Sequence, residues 1–287
     1  MNYKLKTKSG LTLMEMTIVI ATIILLVGLG IPAVRALFNS FENQSGTESM
    51  ISAALASARA IAAQHQRYAG IRFQKAGQGQ DFIEAPQYMI FIIQDPDMMA
   101  YGFRAIPAIK PIKLPDSISL IDLTVVTNRN STNPANSTEV RLDDTGLSAQ
   151  QKEALIDEER EFRDTTTFSI IFSTSGKLVI HGVRVRNKDG YPDSASNTLI
   201  SNDDIFNKKA QVDAGIGKFY QDDYFGAGQS PDLGLGPEQS RSSFIICEKK
   251  KLMQAYKEQR VWSDYLVKLA PETIYINPYT GTIIQAD

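Results

Sequence analysis

The sequence predicts an α+β protein: a long N-terminal helix, membrane-spanning in its first half, packs on an antiparallel β-sheet carrying long loop insertions. Three observations predict it. Residues Met16–Val34 (MTIVIATIILLVGLGIPAV) contain no charge. With Leu11–Met14 they suffice to span the hydrocarbon core of a bilayer, which takes roughly 20 helical residues. Beyond Arg35 the pattern turns amphipathic, with Ile51, Ala54, Leu55, Ala58, Ile61 and Ala62 at helical spacing. Further on, short apolar runs separated by Pro- and Gly-bearing turns read as strands.

Composition bounds the function classes. The 287 residues are 43% hydrophobic, with 30 basic against 32 acidic side chains and a net charge of −2. Such a chain is neither disordered nor collagenous. Near-neutrality argues against a protein built to coat nucleic acid or an anionic surface. One cysteine, Cys247, excludes an intramolecular disulfide, and with only His65 and His181 beside it there is no Cys/His zinc cluster.

The information concentrates at the N-terminus. Lys4, Lys6 and Lys8 precede the apolar run without any acid, which predicts a cytoplasmic N-terminus and the remainder across the membrane. A secretory signal has a shorter apolar core and a small-residue cleavage site. A plain signal anchor fits the hydropathy but not Glu15, a carboxylate set between Met14 and Met16. An ionisable group inside such a segment points to function.

Lys8-Ser9-Gly10, Leu11-Thr12-Leu13-Met14-Glu15 and the apolar run together resemble the leader of type IV pilins and type II secretion pseudopilins. The resemblance implies cleavage after Gly10 by a prepilin peptidase and N-methylation of Leu11. It makes Glu15 the residue of subunit assembly and Pro32 a helix-loosening proline. Leu11 stands where the family usually has phenylalanine. In physical terms, the Glu15 carboxylate of one subunit pairs with the Leu11 α-amine of a neighbour and sets the axial register. Pro32 removes a backbone donor and weakens the helix locally.

The division expected is a leader over 1–10, a membrane and assembly helix over 11–35, and a periplasmic domain over 36–287. One helix is read from about Leu13 to about Gln66. Tyr68–Phe73, Gln87–Ile93 and Ile118–Val126 read as strands. Phe168–Phe172 with Lys177–Val185, and Thr273–Ile276 with Thr282–Gln285, read as hairpins. A helix follows from about Lys249 to Lys268. The polar stretches 128–164 and 187–240 read as insertions. The order matches the pilin-like fold. Ala58-Arg59-Ala60, Tyr68–Phe73 and Phe168–Val179 resemble the H-type minor pseudopilins.

Motifs for chemistry are sparse. Gly215-Ile216-Gly217-Lys218 resembles a P-loop but lacks its spacing. No GxSxG or HExxH occurs. The acidic pairs Asp143-Asp144, Asp203-Asp204 and Asp222-Asp223 could supply oxygen ligands for calcium without matching EF-hand spacing. No cofactor is expected. The reading is a minor pseudopilin of a type II secretion-like pseudopilus in the bacterial inner membrane, doing no chemistry. Its partners are the prepilin peptidase, other pseudopilins, the inner-membrane assembly platform and secreted cargo. The alternatives are a minor pilin for DNA uptake or adhesion, and a membrane-anchored periplasmic enzyme.

Overall fold

A computed structural model of the chain describes residues 14, 16–19, 44–77, 82, 84–97, 101–128, 130, 133–144, 146–155, 159–190, 203–222, 236–258 and 262–285. The chain divides into two units, Met1–Gly46 and Thr47–Asp287. In the first, Met14 and Met16–Val19 are helical, and the Thr17 hydroxyl donates to the Met14 carbonyl. Gly10, Leu11, Glu15 and Pro32 lie outside the described residues.

The second unit begins within helix α1 (Gln44–His65). Ile51, Ala54, Leu55, Ala58 and Ala62 are buried along one stripe, as their spacing predicts. Gln66 ends the helix in the left-handed region (φ 52°), and the Arg67 N–H returns to the Ala62 carbonyl. That closes a Schellman-type cap.

Strands β1 (Ala69–Lys75), β2 (Gln87–Gln94) and β3 (Gly102–Ala105) follow. They join β8 (Phe168–Phe172), β9 (Leu178–Val179), β10 (Gly182–Arg186) and β13 (Glu238–Gln239) in the order β13-β10-β3-β2-β1-β8-β9. Period-two alternation sorts β1 between two cores. Ile71 and Phe73 face α1, whereas Arg72 and Gln74 share the opposite face with Ile90 and Ile92 of β2. Gly70 admits no side chain, since a Cβ there would meet the Ile170 carbonyl at 1.9 Å.

The sheet curls until its edges meet. The Ser240 hydroxyl, just past β13, donates to the Val179 carbonyl of β9, and the Arg241 N–H donates to the Ser169 carbonyl of β8. A second sheet, in the order β16-β15-β14-β5, is formed by β5 (Ile118–Ile121), β14 (Ser243–Glu248), β15 (Ile274–Ile276) and β16 (Ile283–Gln285). Its β14 again serves two cores. Phe244 and Ile246 join the α1 core, while Ile245 and Cys247 pack with Phe162, Leu252 and Leu266 from shorter helices.

Two expectations are corrected. The expected fold class, a long N-terminal helix on an antiparallel sheet, gives way to a mostly β protein with sixteen strands among the described residues. Its main sheet is mixed, because β10 runs parallel to β3. The physical reason is the curl: the chain leaves edge strand β9 and re-enters between the opposite edge strand β13 and β3, where it runs in the same direction as β3. The second correction concerns the membrane. No helix among the described residues is long and apolar enough to cross one. The expected transmembrane helix over 11–35 and the single-pass inner-membrane placement are corrected to that statement: neither is found among the described residues. The 22-residue α1 concentrates its apolar side chains on the sheet side and exposes Ser57, Gln64 and His65.

The local readings fare differently. The two hairpins form as β8–β9 and β15–β16, but the second strand of the first, expected over Lys177–Val185, ends at Val179, and Gly182–Arg186 pairs with β3 and β13 instead. The run Ile118–Val126 splits into β5 and β6 (Thr124–Asn128), and the helix expected over Lys249–Lys268 becomes Lys249–Lys257 and Trp262–Leu269. Within 128–164 and 187–240 lie a strand paired with β6, helices, and the parallel pair Phe206–Asn207 with Phe219–Tyr220.

Leu55 is fully buried in the α1 core. Leu55→Ala is expected to lower stability by about 2–5 kcal/mol, measured as a shifted midpoint in urea unfolding. A midpoint equal to wild type would show that α1 does not hold this core.

Candidate functional site

The densest chemistry lies inside the curled sheet. Arg72 is fully buried there, directly opposite Ser169 in the β1–β8 ladder. Its Nε donates to Gln74 Oε1 at 2.6 Å, Nη1 to Glu238 Oε1 at 3.0 Å and Ser169 Oγ at 3.2 Å, and Nη2 to Asp222 Oδ1 at 3.0 Å. Ser169 in turn donates to Glu238, and Asp222 Oδ2 accepts from the Val185 N–H. Burying charges is tolerated only with this degree of pairing and hydrogen bonding. Three segments distant in sequence thus converge on one guanidinium.

A second arginine continues the cluster. Arg241 pairs with Asp122 (Nε to Oδ2, 2.6 Å) and Glu139 (Nη1 to Oε2, 2.7 Å). Burial acts to lower the Arg241 pKa, but Asp122 and Glu139 outweigh it and hold the guanidinium firmly protonated. Burial pushes the Asp122 carboxyl up, opposed by Arg241 and by the Thr124 hydroxyl. Arg184, also buried, is pulled down by desolvation against the pull of Asp222. These carboxylates are engaged as counterions, which does not poise them as acid–base groups.

Gln87 joins the two sheets. Its Nε2 donates to the Leu120 and Thr166 carbonyls, and its Oε1 accepts from the Leu120 N–H and the Ser119 hydroxyl. Nearby, the buried Lys75 ammonium lies 4.7 Å from the Phe162 ring centroid, and the Arg163 guanidinium 4.0 Å from that of Phe82. These are cation–π distances. Cys247 Sγ donates to the Ser119 carbonyl, and burial pushes its thiol up to about 12. A buried thiol of this kind is a poor nucleophile.

The sequence-predicted candidates fall apart spatially. Cys247 is a buried strand residue. His65, the last residue of α1, is exposed. His181, within the run Lys177–Val185 read as a strand, sits between β9 and β10 instead. Asp143 is bound bidentately by Arg141, Asp144 accepts from the Gly146 N–H, and Asp203 accepts from the Ile205 N–H. Among the described residues no group of three or more His, Cys, Asp or Glu could hold a metal. Lys249 is half-buried and donates to the Glu84 and Ala85 carbonyls. The sequence reading missed Arg72, Gln74 and Glu238. Their only signal was the alternation of Arg72 and Gln74 with Ile71 and Phe73, which reads equally as a solvated face.

Comparison with protein-family models, with curated proteins and with solved structures finds no match. The resemblance at the N-terminus therefore rests on the residues quoted for it.

Arg72→Ala leaves Asp222 and Glu238 buried without their counterion, which costs about 3–5 kcal/mol. Urea unfolding should register that loss, and a loss below about 1 kcal/mol would place the charges in water instead. Cys247 gives a pH signature. Its folded pKa lies above the unfolded value of 9.0, so its contribution is complete below pH 9 and is lost as pH rises toward about 12. Cys247→Ala should therefore lose less stability than wild type across that window in pH-dependent thermal melts. Equal losses would show an accessible thiol.

Proposed function

We propose that the protein is a structural, non-enzymatic subunit of a pseudopilus-type filament, of the minor class, that supports protein export. A prepilin peptidase cleaves it after Gly10. The new N-terminus at Leu11 then takes part in assembly with other subunits, and Glu15 of one subunit pairs with the Leu11 α-amine of the next. The observation that carries this is the run Lys8-Ser9-Gly10-Leu11-Thr12-Leu13-Met14-Glu15 ahead of nineteen uncharged residues.

The geometry supports a structural role for the folded unit. Its charged interior groups bind one another: Arg72 engages Asp222 and Glu238, and Arg241 engages Asp122 and Glu139. A cluster committed to internal pairing rigidifies a scaffold and offers no open position to a substrate. The helix α1 is clamped as well. Arg59 donates from Nε to the Gly176 carbonyl and from Nη1 to the Thr280 carbonyl, which ties it to both hairpin turns.

The full chain co-produced with a prepilin peptidase should lose residues 1–10 and gain one methyl group at Leu11, read by intact mass and N-terminal sequencing. Gly10→Val should abolish cleavage, and normal processing of that variant would overturn the reading. Glu15→Leu should be cleaved yet incorporated poorly into filaments. Incorporation equal to wild type would remove Glu15 from assembly.

A further inference from the structure

His181 lies on the seam that closes the curled sheet. Its backbone N–H donates to the Ser240 hydroxyl, its carbonyl accepts from the Ser240 N–H, and the same hydroxyl donates to the Val179 carbonyl. One serine after β13 therefore holds both the end of β9 and the entry to β10. The next residues pair at once with β13, Gly182 opposite Gln239 and Val183 opposite Glu238. Glu238 is a counterion of Arg72. The seam and the buried charges are mechanically continuous.

Three aromatic rings surround the imidazole. Tyr68 lies at 4.3 Å between centroids, and Tyr101 and Phe103 each lie at 5.7 Å in edge-to-face arrangement. Tyr101 is held in the left-handed region (φ 64°), which non-glycine residues rarely adopt. That conformation sets its ring against Gly182, where a Cβ would meet Tyr101 Cδ1 at 2.7 Å. Strain retained at such a position marks a site the surrounding structure over-determines.

The hydrogen bonding fixes the resting tautomer. Nδ1 lies 2.6 Å from the Gly182 carbonyl, which only accepts, so Nδ1 carries the proton. Nε2 makes no hydrogen bond among the described residues. Protonation adds a donor at Nε2 beside three rings and places a charge in a half-buried box. The titratable groups facing the ring are the Tyr68 and Tyr101 phenols. The charges on the adjoining elements are engaged elsewhere: Arg104 with Asp95, Glu238 with Arg72, and Arg241 with Asp122 and Glu139. Asp222 acts on Arg184. Burial holds the His181 imidazole below its ordinary pKa, opposed by the Gly182 carbonyl, which raises it.

We propose that His181 is a protonation-controlled latch: the neutral ring fills the Tyr68–Tyr101–Phe103 box and holds the β10–β13 seam closed, and the charged ring leaves the box and loosens that seam. The sign follows from linkage. The folded pKa lies below the unfolded value of 6.5, so the latch is fully set above pH 6.5 and is released as pH falls through the lower folded value. The device does not depend on the filament reading, and its test does not involve processing or assembly.

Hydrogen exchange of the full chain, corrected for intrinsic rates, reads the seam at residues 182–185 and 238–241. From about pH 7.5 to about pH 5, wild type should exchange there about threefold faster or more, while β1 and β2 change less. His181→Phe fills the box with a ring that cannot charge, and its seam should ignore pH over that range. An equal acid response in this variant, or none in wild type, would overturn the proposal. A second measurement needs no substitution at His181. In the His65→Gln chain the remaining imidazole NMR signal should titrate below its value in the urea-unfolded chain, in step with seam exchange. Titration at the unfolded value, or out of step with exchange, would also overturn it.

Discussion

A single guanidinium placed in an apolar interior constrains much of this protein. Arg72 projects from the face of β1 opposite α1, among Ile90, Ile92, Phe103 and Val185. A charge in such surroundings is very unfavourable unless its partners come to it. They arrive from β8, from Asp222 two residues past the strand Phe219–Tyr220, and from β13, so the sheet must curl far enough to bring Ser169, Asp222 and Glu238 within 3.2 Å. The curl then requires the chain to cross from β9 to β10, makes β10 parallel to β3, and brings Ser240 to the seam. The mixed topology and the buried ion pairs are two expressions of one constraint.

The other face of the sheet follows simpler rules. Burial of α1 against Ile71, Phe73, Met89 and Ile170 is ordinary hydrophobic packing. The β5–β14 sheet extends that layer and starts another beyond it, because period-two alternation gives β14 two apolar faces. Gln87 and Lys75 fill the junctions between layers. Each is polar, and each is held by carbonyls or by aromatic rings. Directional contacts of this kind fix one arrangement where apolar packing alone would tolerate several.

The functional evidence comes from two separate places. The leader-like run at the N-terminus carries the reading as a filament subunit, and its key residues Gly10, Leu11, Glu15 and Pro32 lie outside the described residues. The folded unit contributes a rigid scaffold whose interior charges are committed to one another. Its seam adds a feature unrelated to assembly chemistry, an imidazole whose protonation state is coupled to closure of the sheet.

The local elements were legible in the sequence because their causes are local. Helical spacing from Ile51 to Ala62, the alternation in Tyr68–Phe73, and the Gly and Pro turns at Ser173–Gly176 and Asn277–Gly281 each specify an element through neighbouring residues. Tertiary structure alone decided what lies between those elements. Whether Arg72 and Gln74 face water or a second core depends on residues about 97 to 166 positions away. The parallel pairing of β10 and the box around His181 depend likewise on distant partners. Periodicity records which side of an element is apolar, but a polar side reads the same whether solvent or a buried counterion satisfies it, and only the folded chain brings the counterion into reach.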